Sequence, residues 1–138
     1  MAIPNGGGGY QIGDGNLNEP LIDALPDPIV VTAAATLTAV QVLNGIMILN
    51  TAATTSNQAY TLPTVADLEA VLTNSDKVGT AFTFRVVNLG TSSGTATITT
   101  NTGWTLTGSL TMAVPVTSGA FFIARKSAAG AWTLYRAA

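Results

Sequence analysis

At 138 residues the chain is long enough for one domain with a buried core, but only 9% of its residues are charged, against about 25% in an ordinary soluble protein. It contains no His and no Cys, which removes the commonest general base and metal ligand, the usual pH switch near neutrality, and any disulfide or thiolate site. Five Lys and Arg stand against seven Asp and Glu, with no dense basic cluster, so no partnership with nucleic acid is expected.

The charge is uneven along the chain. Asp14, Glu19, Asp23 and Asp27 give residues 1–28 a net charge of −4 with no Lys or Arg, and the remainder is +2. With 47% hydrophobic residues and 22 Thr, much of the surface must be Thr, Ser, Asn, Gly and Ala. Surfaces of that kind are common on proteins that pack against copies of themselves.

Residues 1–28 read as an extended arm. Gly6 to Gly9 form a flexible link, Gly13-Asp14-Gly15-Asn16 is turn-like, and Pro20, Pro26 and Pro28 forbid a regular helix. No basic start followed by an apolar run marks a secretory signal. Tyr10, Ile12, Leu17, Leu21, Ile22 and Leu25 supply isolated apolar points, which suits a segment that orders against a partner. Asp14-Gly15-Asn16-Leu17-Asn18 begins like a calcium loop. The match fails where Glu19 replaces the sixth-position Gly and Leu25 the twelfth-position Glu. The glycines have no strand before them and no capped helix after them, so no phosphate cradle is expected.

The body begins at residue 29 with a short strand over Ile29 to Val31. Ile29 to Leu49 is uncharged, but Thr32, Thr36, Thr38, Gln41, Asn44 and Gly45 interrupt it, so no membrane span is expected. Thr38-Ala39-Val40-Gln41 matches a capping box and Asn44-Gly45 a helix stop, which predicts one or two helical turns over residues 39–44. Gly45 to Thr51 returns to strand. Ala59 to Leu62 is another strand, ended by Pro63. Thr64 then caps a second helix with Asp67 at its third position, and Val65, Leu68, Val71 and Leu72 form an apolar stripe. Asn74 to Gly79 is the loop out.

From Thr80 to Arg136 the chain reads as a series of antiparallel strands with period two. Phe82, Phe84 and Val86 alternate with Thr83 and Arg85; Ala96 and Ile98 with Thr95, Thr97 and Thr99. Between Thr102 and Thr117, Trp104, Leu106, Leu110, Met112, Val114 and Val116 hold the even positions, with Gly108 among them. If the chain reverses there, an odd loop of Thr107-Gly108-Ser109 keeps Leu106 and Leu110 on one face. Pro115 marks a sheet edge or a bulge. Phe121 and Ile123 alternate with Phe122 and Ala124, which suggests cover on both faces. Ser127 to Gly130 reads as the four-residue loop of a last hairpin, pairing Ile123 with Leu134 and Arg125 with Trp132, the second as a cation over an indole.

No catalytic constellation appears. Only Asp67, Glu69 and Asp76 are acidic in the body, and Asp67 and Glu69 fall on different sides of their helix, so an enzyme is not expected. An outward Trp104 or Trp132 would make a sugar-stacking platform.

Several short motifs resemble decoration (cement) proteins of tailed-phage heads. They are Gln11-Ile12-Gly13-Asp14-Gly15-Asn16-x-Asn18-Glu19, Thr36-Leu37-Thr38-Ala39-x-Gln41-x-Leu43-Asn44-Gly45, Phe82-x-Phe84-x-Val86-x-Asn88 and Gly103-x-Thr105-Leu106-x-Gly108. The resemblance implies a homotrimer on the outer capsid surface of a virion, bridging subunits of the major capsid protein, with the arm laid on the shell. It implies no catalytic residue and no cofactor. Carried to this sequence, the capsid-contacting positions are Tyr10, Ile12, Asp14, Asn16, Asn18, Glu19, Leu21 and Ile22. The alternative is a tail-fibre or receptor-binding module that recognises a host surface glycan. The expected fold is all-β: a two-sheet antiparallel sandwich of jelly-roll type over residues 29–138, with one or two short helices and the arm at residues 1–28.

Overall fold

A computed structural model describes residues 24–50, 53–107 and 112–138 of the protein. All eight arm positions expected to contact a capsid (Tyr10, Ile12, Asp14, Asn16, Asn18, Glu19, Leu21 and Ile22), and the turn expected at Gly108, lie outside these residues. Among them are ten strands and two short helices. In chain order they are β1 (Ile29–Val31), β2 (Ala35–Thr36), α1 (Ala39–Leu43), β3 (Ile46–Leu49), β4 (Gln58–Thr61), α2 (Val65–Val71), β5 (Ala81–Asn88), β6 (Ala96–Thr99), β7 (Trp104–Thr107), β8 (Ala113–Val114), β9 (Ser118–Ala128) and β10 (Ala131–Arg136).

The strands form two sheets, one of six in the order β1-β3-β5-β9-β10-β7 and one of four in the order β2-β4-β6-β8. The all-β, two-sheet expectation holds; the antiparallel one does not. From β1 to β8 successive strands alternate between the sheets, so β1-β3-β5 and β2-β4-β6-β8 are neighbours two steps apart in sequence, while β7 lies beside β10. β1 with β3, β3 with β5, β2 with β4 and β4 with β6 all pair in parallel, as does β7 with β10. Only β5 with β9, β9 with β10 and β6 with β8 are antiparallel. Side-chain alternation is the same in both kinds of ladder, so period two cannot distinguish them. The connections decide it. β1 reaches β3 through β2 and α1, and β3 reaches β5 through β4 and α2, which are the long crossovers parallel pairing requires.

Two local expectations change with the topology. β7 and β8 lie in different sheets, so residues on either side of Gly108 do not form a hairpin. In the last hairpin Ala128 pairs with Ala131, a bulge follows, and Trp132 then faces Lys126 rather than Arg125. Directly opposed residues share a sheet face. Trp132 points inward, so its partner must be an inward residue, and on β9 those are Ala120, Phe122, Ala124 and Lys126. Arg125 points outward. The cation over a ring is instead Arg85, 4.9 Å from the centroid of Phe121.

The inward faces follow the sequence parity. Phe84, Val86, Ala96, Ile98, Trp104, Val114, Phe122, Trp132 and Leu134 are buried, and Phe82, Leu106 and Met112 pack against them. Four aromatic contacts run across the six-stranded sheet: Phe122 to Phe84 at 5.2 Å, Phe84 to Phe82 at 6.2 Å, Phe82 to Trp132 at 5.7 Å and Trp132 to Trp104 at 6.2 Å. On β9 the second face is half-covered at Phe121 and Ile123. Pro115 directly follows β8, the edge strand of the smaller sheet, as its missing N–H requires.

Both helices form where their caps place them. Thr38 accepts from the Gln41 amide while the Gln41 side chain accepts from the Thr38 amide, the reciprocal pair that satisfies two otherwise orphaned donors. Gly45, at φ +91°, ends that helix in the left-handed region that favours glycine. Thr64 accepts from the Asp67 amide at the start of α2. Within α2, Val65 and Leu68 are buried, but Val71 is 47% exposed and leaves the expected stripe. At about 100° per residue, Glu69 lies closer to the Val65–Leu68–Leu72 face than Val71 does. The stretch from Ile29 to Leu49 is broken into three strands and a helix, and no helix among the described residues is long and apolar enough to cross a membrane.

Candidate functional site

Low overall charge makes each buried polar side chain informative. Thr54 and Ser75 bond to the Thr32 and Leu72 carbonyls, and Lys126, Asn50 and Asn88 enter two larger clusters.

The first joins α2 to the six-stranded sheet. Glu69 projects from α2 toward the inward faces of β9 and β10. Its Oε1 accepts from Lys126 Nζ at 2.6 Å and from Trp132 Nε1 at 3.0 Å. The Lys126 side chain is 7% exposed and that of Glu69 27%, and theirs is the one salt bridge among the described residues. The hydrogen bond from Lys126, then that from Trp132, holds the Glu69 carboxyl below the usual glutamate range, against the opposing effect of burial. The cluster ties α2 to the six-stranded sheet.

The second cluster binds the ends of β3 and β5 to the loop that follows β5. Asn50 and Asn88 are both fully buried. Both side-chain amides donate to the Gly94 carbonyl, at 2.9 and 3.0 Å, and Asn88 also donates to the Val114 carbonyl at 2.8 Å. Asn88 Oδ1 accepts from the Gly90 amide at 2.9 Å. The Tyr60 hydroxyl donates to Asn50 Oδ1 at 2.6 Å and lies 3.1 Å from the Val31 carbonyl. Burial raises the Tyr60 hydroxyl above its ordinary value, with its contact to Asn50 working the other way. Gly94, at φ +102°, sits where a Cβ would come within 2.6 Å of the Ser56 carbonyl oxygen.

The remaining candidates resolve as structure. Trp104 and Trp132 are 7% and 0% exposed, and Trp104 Nε1 donates to the Pro63 carbonyl at 2.7 Å. Neither faces outward, so the condition for a sugar-stacking platform is not met at either. Asp67 accepts from the Thr64 hydroxyl at 2.7 Å and faces away from Glu69, so the two carboxylates do not converge. No group of three or more acidic side chains able to hold a metal occurs among the described residues. An open apolar groove of about 270 Å³, lined by Arg85, Val87, Gly119 and Phe121 among others, lies on the outward face of the six-stranded sheet.

Several residues of the short motifs singled out in the sequence have structural roles. Thr38, Gln41 and Gly45 cap α1. Phe84, Val86 and Asn88 take successive inward positions on β5. Gly103, at φ +88°, lets β7 approach α2 so closely that a Cβ would lie 2.7 Å from Val65. Compared with protein-family models, with curated proteins and with solved structures, the chain finds no match in any of the three.

The signal for Lys126 was present in the sequence. It continues the inward parity of Phe122 and Ala124, and a lysine there needs an inward carboxylate, which the helical position of Glu69 supplies.

Proposed function

We propose that this chain is a capsid decoration protein: a β-sandwich that packs on the outer surface of a virus head as a homotrimer and bridges subunits of the major capsid protein, with its N-terminal arm laid on the shell. The observation that carries the proposal is the outward face of the four-stranded sheet. Thr36, Thr61 and Thr99 stand side by side in register across β2, β4 and β6, and Ala59, Thr97 and Ala113 form the next row. The Thr99 hydroxyl donates to that of Thr61 at 3.0 Å. No charged side chain interrupts these rows. Covering such a face dehydrates no ion and immobilises only short side chains, so both main costs of association are small.

The likeness of the four motifs to cement proteins supports the same reading, and so does the commitment of the buried polar groups to structural bonds rather than to a reactive site. The glycan-binding alternative loses its clearest support with the burial of Trp104 and Trp132. The test is co-sedimentation with heads that lack this chain. Saturable binding at a fixed stoichiometry per capsid subunit supports the proposal. Absence of binding to heads, together with binding to host surface glycans, overturns it.

A further inference from the structure

The six-stranded sheet is packed on its inner side and open on its outer side among the described residues. Strand pairing places the outward side chains in adjoining rows: Val30, Ile48 and Val87 in one, Arg85 and Phe121 in the next, Ile123 and Tyr135 in the third. Val30 is 53% exposed and Tyr135 36%. Arg85 and Arg125 both point outward, and no Asp or Glu occupies an outward position on any of the six strands. Neither arginine has a salt bridge among the described residues, where the single ion pair is that of Glu69 and Lys126.

An apolar face carrying two unpaired cations fits a ligand that is acidic and apolar, and this chain contains one. Residues 10–23 hold Asp14, Glu19 and Asp23, no Lys or Arg, and the apolar side chains Tyr10, Ile12, Leu17, Leu21 and Ile22. The segment also arrives at the right place. Residues 24–28 lead directly into β1, the edge strand of this sheet. There Asn44 Nδ2 donates to the Asp27 carbonyl at 3.0 Å, and a Cβ built on Gly45 would meet Leu25 Cδ2 at 3.5 Å. Gly45 in turn accepts from the Arg85 amide at 2.9 Å. From β1 to β9 is three strand spacings, about 14 Å. Four or five extended residues cover that distance, far fewer than the segment contains.

We propose that residues 10–23 dock in cis across the outward face of the six-stranded sheet, with their apolar side chains on Val87, Phe121 and Ile123 and their carboxylates paired with Arg85 and Arg125. The docking is independent of the capsid reading. Where both hold, attachment to a shell is an exchange in which the capsid displaces the segment from its own sheet.

The absence of Cys allows a single reporter to be placed. Asn16→Cys carrying a nitroxide, in the isotopically labelled full-length chain, is expected to weaken the amide signals of Thr83, Phe121 and Ile123 most strongly and those of Thr61 and Thr99 on the other sheet least. Arg85→Glu with Arg125→Glu, which alters only outward side chains, is expected to remove that pattern while leaving the other amide positions unchanged, and high salt is expected to weaken it. Equal weakening on both sheets overturns the proposal, as does a pattern that survives the double charge reversal. A mixture of labelled chains without the nitroxide and unlabelled chains with it separates cis from trans: weakening across molecules assigns the face to a neighbour's segment and overturns docking in cis. These measurements use no capsid, so their outcome is distinct from that of co-sedimentation.

Discussion

Glu69 and Lys126 are 57 residues apart in sequence and 2.6 Å apart in space, one on a helix and the other on the central strand of the larger sheet. The pair is asymmetric, because Lys126 is nearly enclosed while Glu69 keeps an edge toward solvent. Removing the carboxylate should therefore be the more damaging change. Glu69→Leu leaves an ammonium buried and the Trp132 indole N–H without its acceptor. It is expected to destabilise the domain by roughly 3 kcal/mol, whereas Glu69→Leu combined with Lys126→Met recovers much of that loss. Chemical denaturation of the two variants beside the parent gives the comparison.

The same pair sets an acid limit. The folded-state value of Glu69 lies below its ordinary 4.5, so the unfolded chain takes up the proton first as pH falls. The stabilisation is complete above the unfolded value and is lost as pH drops through the folded one. The thermal midpoint should fall more steeply below pH 4.5 in the parent than in the Glu69→Leu, Lys126→Met double variant. Tyr60 acts at the other extreme with the opposite sign. Its value is raised above 10.0, so its contribution persists up to that pH and is lost as pH rises through the folded value. Melting curves across both ranges, with Tyr60→Phe as the alkaline control, separate the two.

Asn88 makes three side-chain hydrogen bonds in a site closed to water, to Gly90, Gly94 and Val114. Asn88→Leu takes the acceptor from the Gly90 amide and a donor from the Val114 carbonyl, while the Gly94 carbonyl keeps the bond from Asn50, at about 1–3 kcal/mol for each group left unpaired where water cannot reach. The expected result is loss of the cooperative transition or a large drop in its midpoint. The loop from Leu89 to Thr95 should also lose amide-exchange protection before the sheet does.

Gly103, directly before β7, packs against Val65 of α2. Gly103→Ala places a methyl group 2.7 Å from Val65 at φ +88°, so both packing and backbone oppose it. A destabilisation of about 2 kcal/mol or more is expected from denaturation. Gly130, also at positive φ but with nothing within 4 Å of a built Cβ, should tolerate Ala with only the backbone penalty.

The parts of this fold legible in the sequence are those written in local periodicity and capping. Even positions from Phe82 to Val86 and from Trp104 to Leu106 point inward, and Thr38, Gln41, Gly45 and Thr64 bound their helices as their chemistry requires. The pairing partners were not legible, because alternation fixes which face a residue takes and not which strand lies beside it. The parallel ladders β1-β3-β5 and β2-β4-β6 arise from the alternation of the chain between sheets, a property of the connections. The register of the last hairpin was recoverable. Pairing Trp132 with Arg125 set an inward residue against an outward one, and the one-residue shift to Lys126 removes that conflict. A lysine before Ser127 reads as a turn residue until its parity with Ala124 is counted.

The proposal that the threonine face packs on a virus head is tested most directly by one substitution on it. Thr99→Arg puts a charge at the β6 end of the Thr36–Thr61–Thr99 row, while Ala70→Arg puts the same charge on the exposed side of α2. Both variants are to be compared with the parent in co-sedimentation with undecorated heads, after a melting curve for each shows that the fold is intact. Thr99→Arg should lose binding and Ala70→Arg should keep it. Undiminished binding by Thr99→Arg would show that the four-stranded sheet does not face the shell.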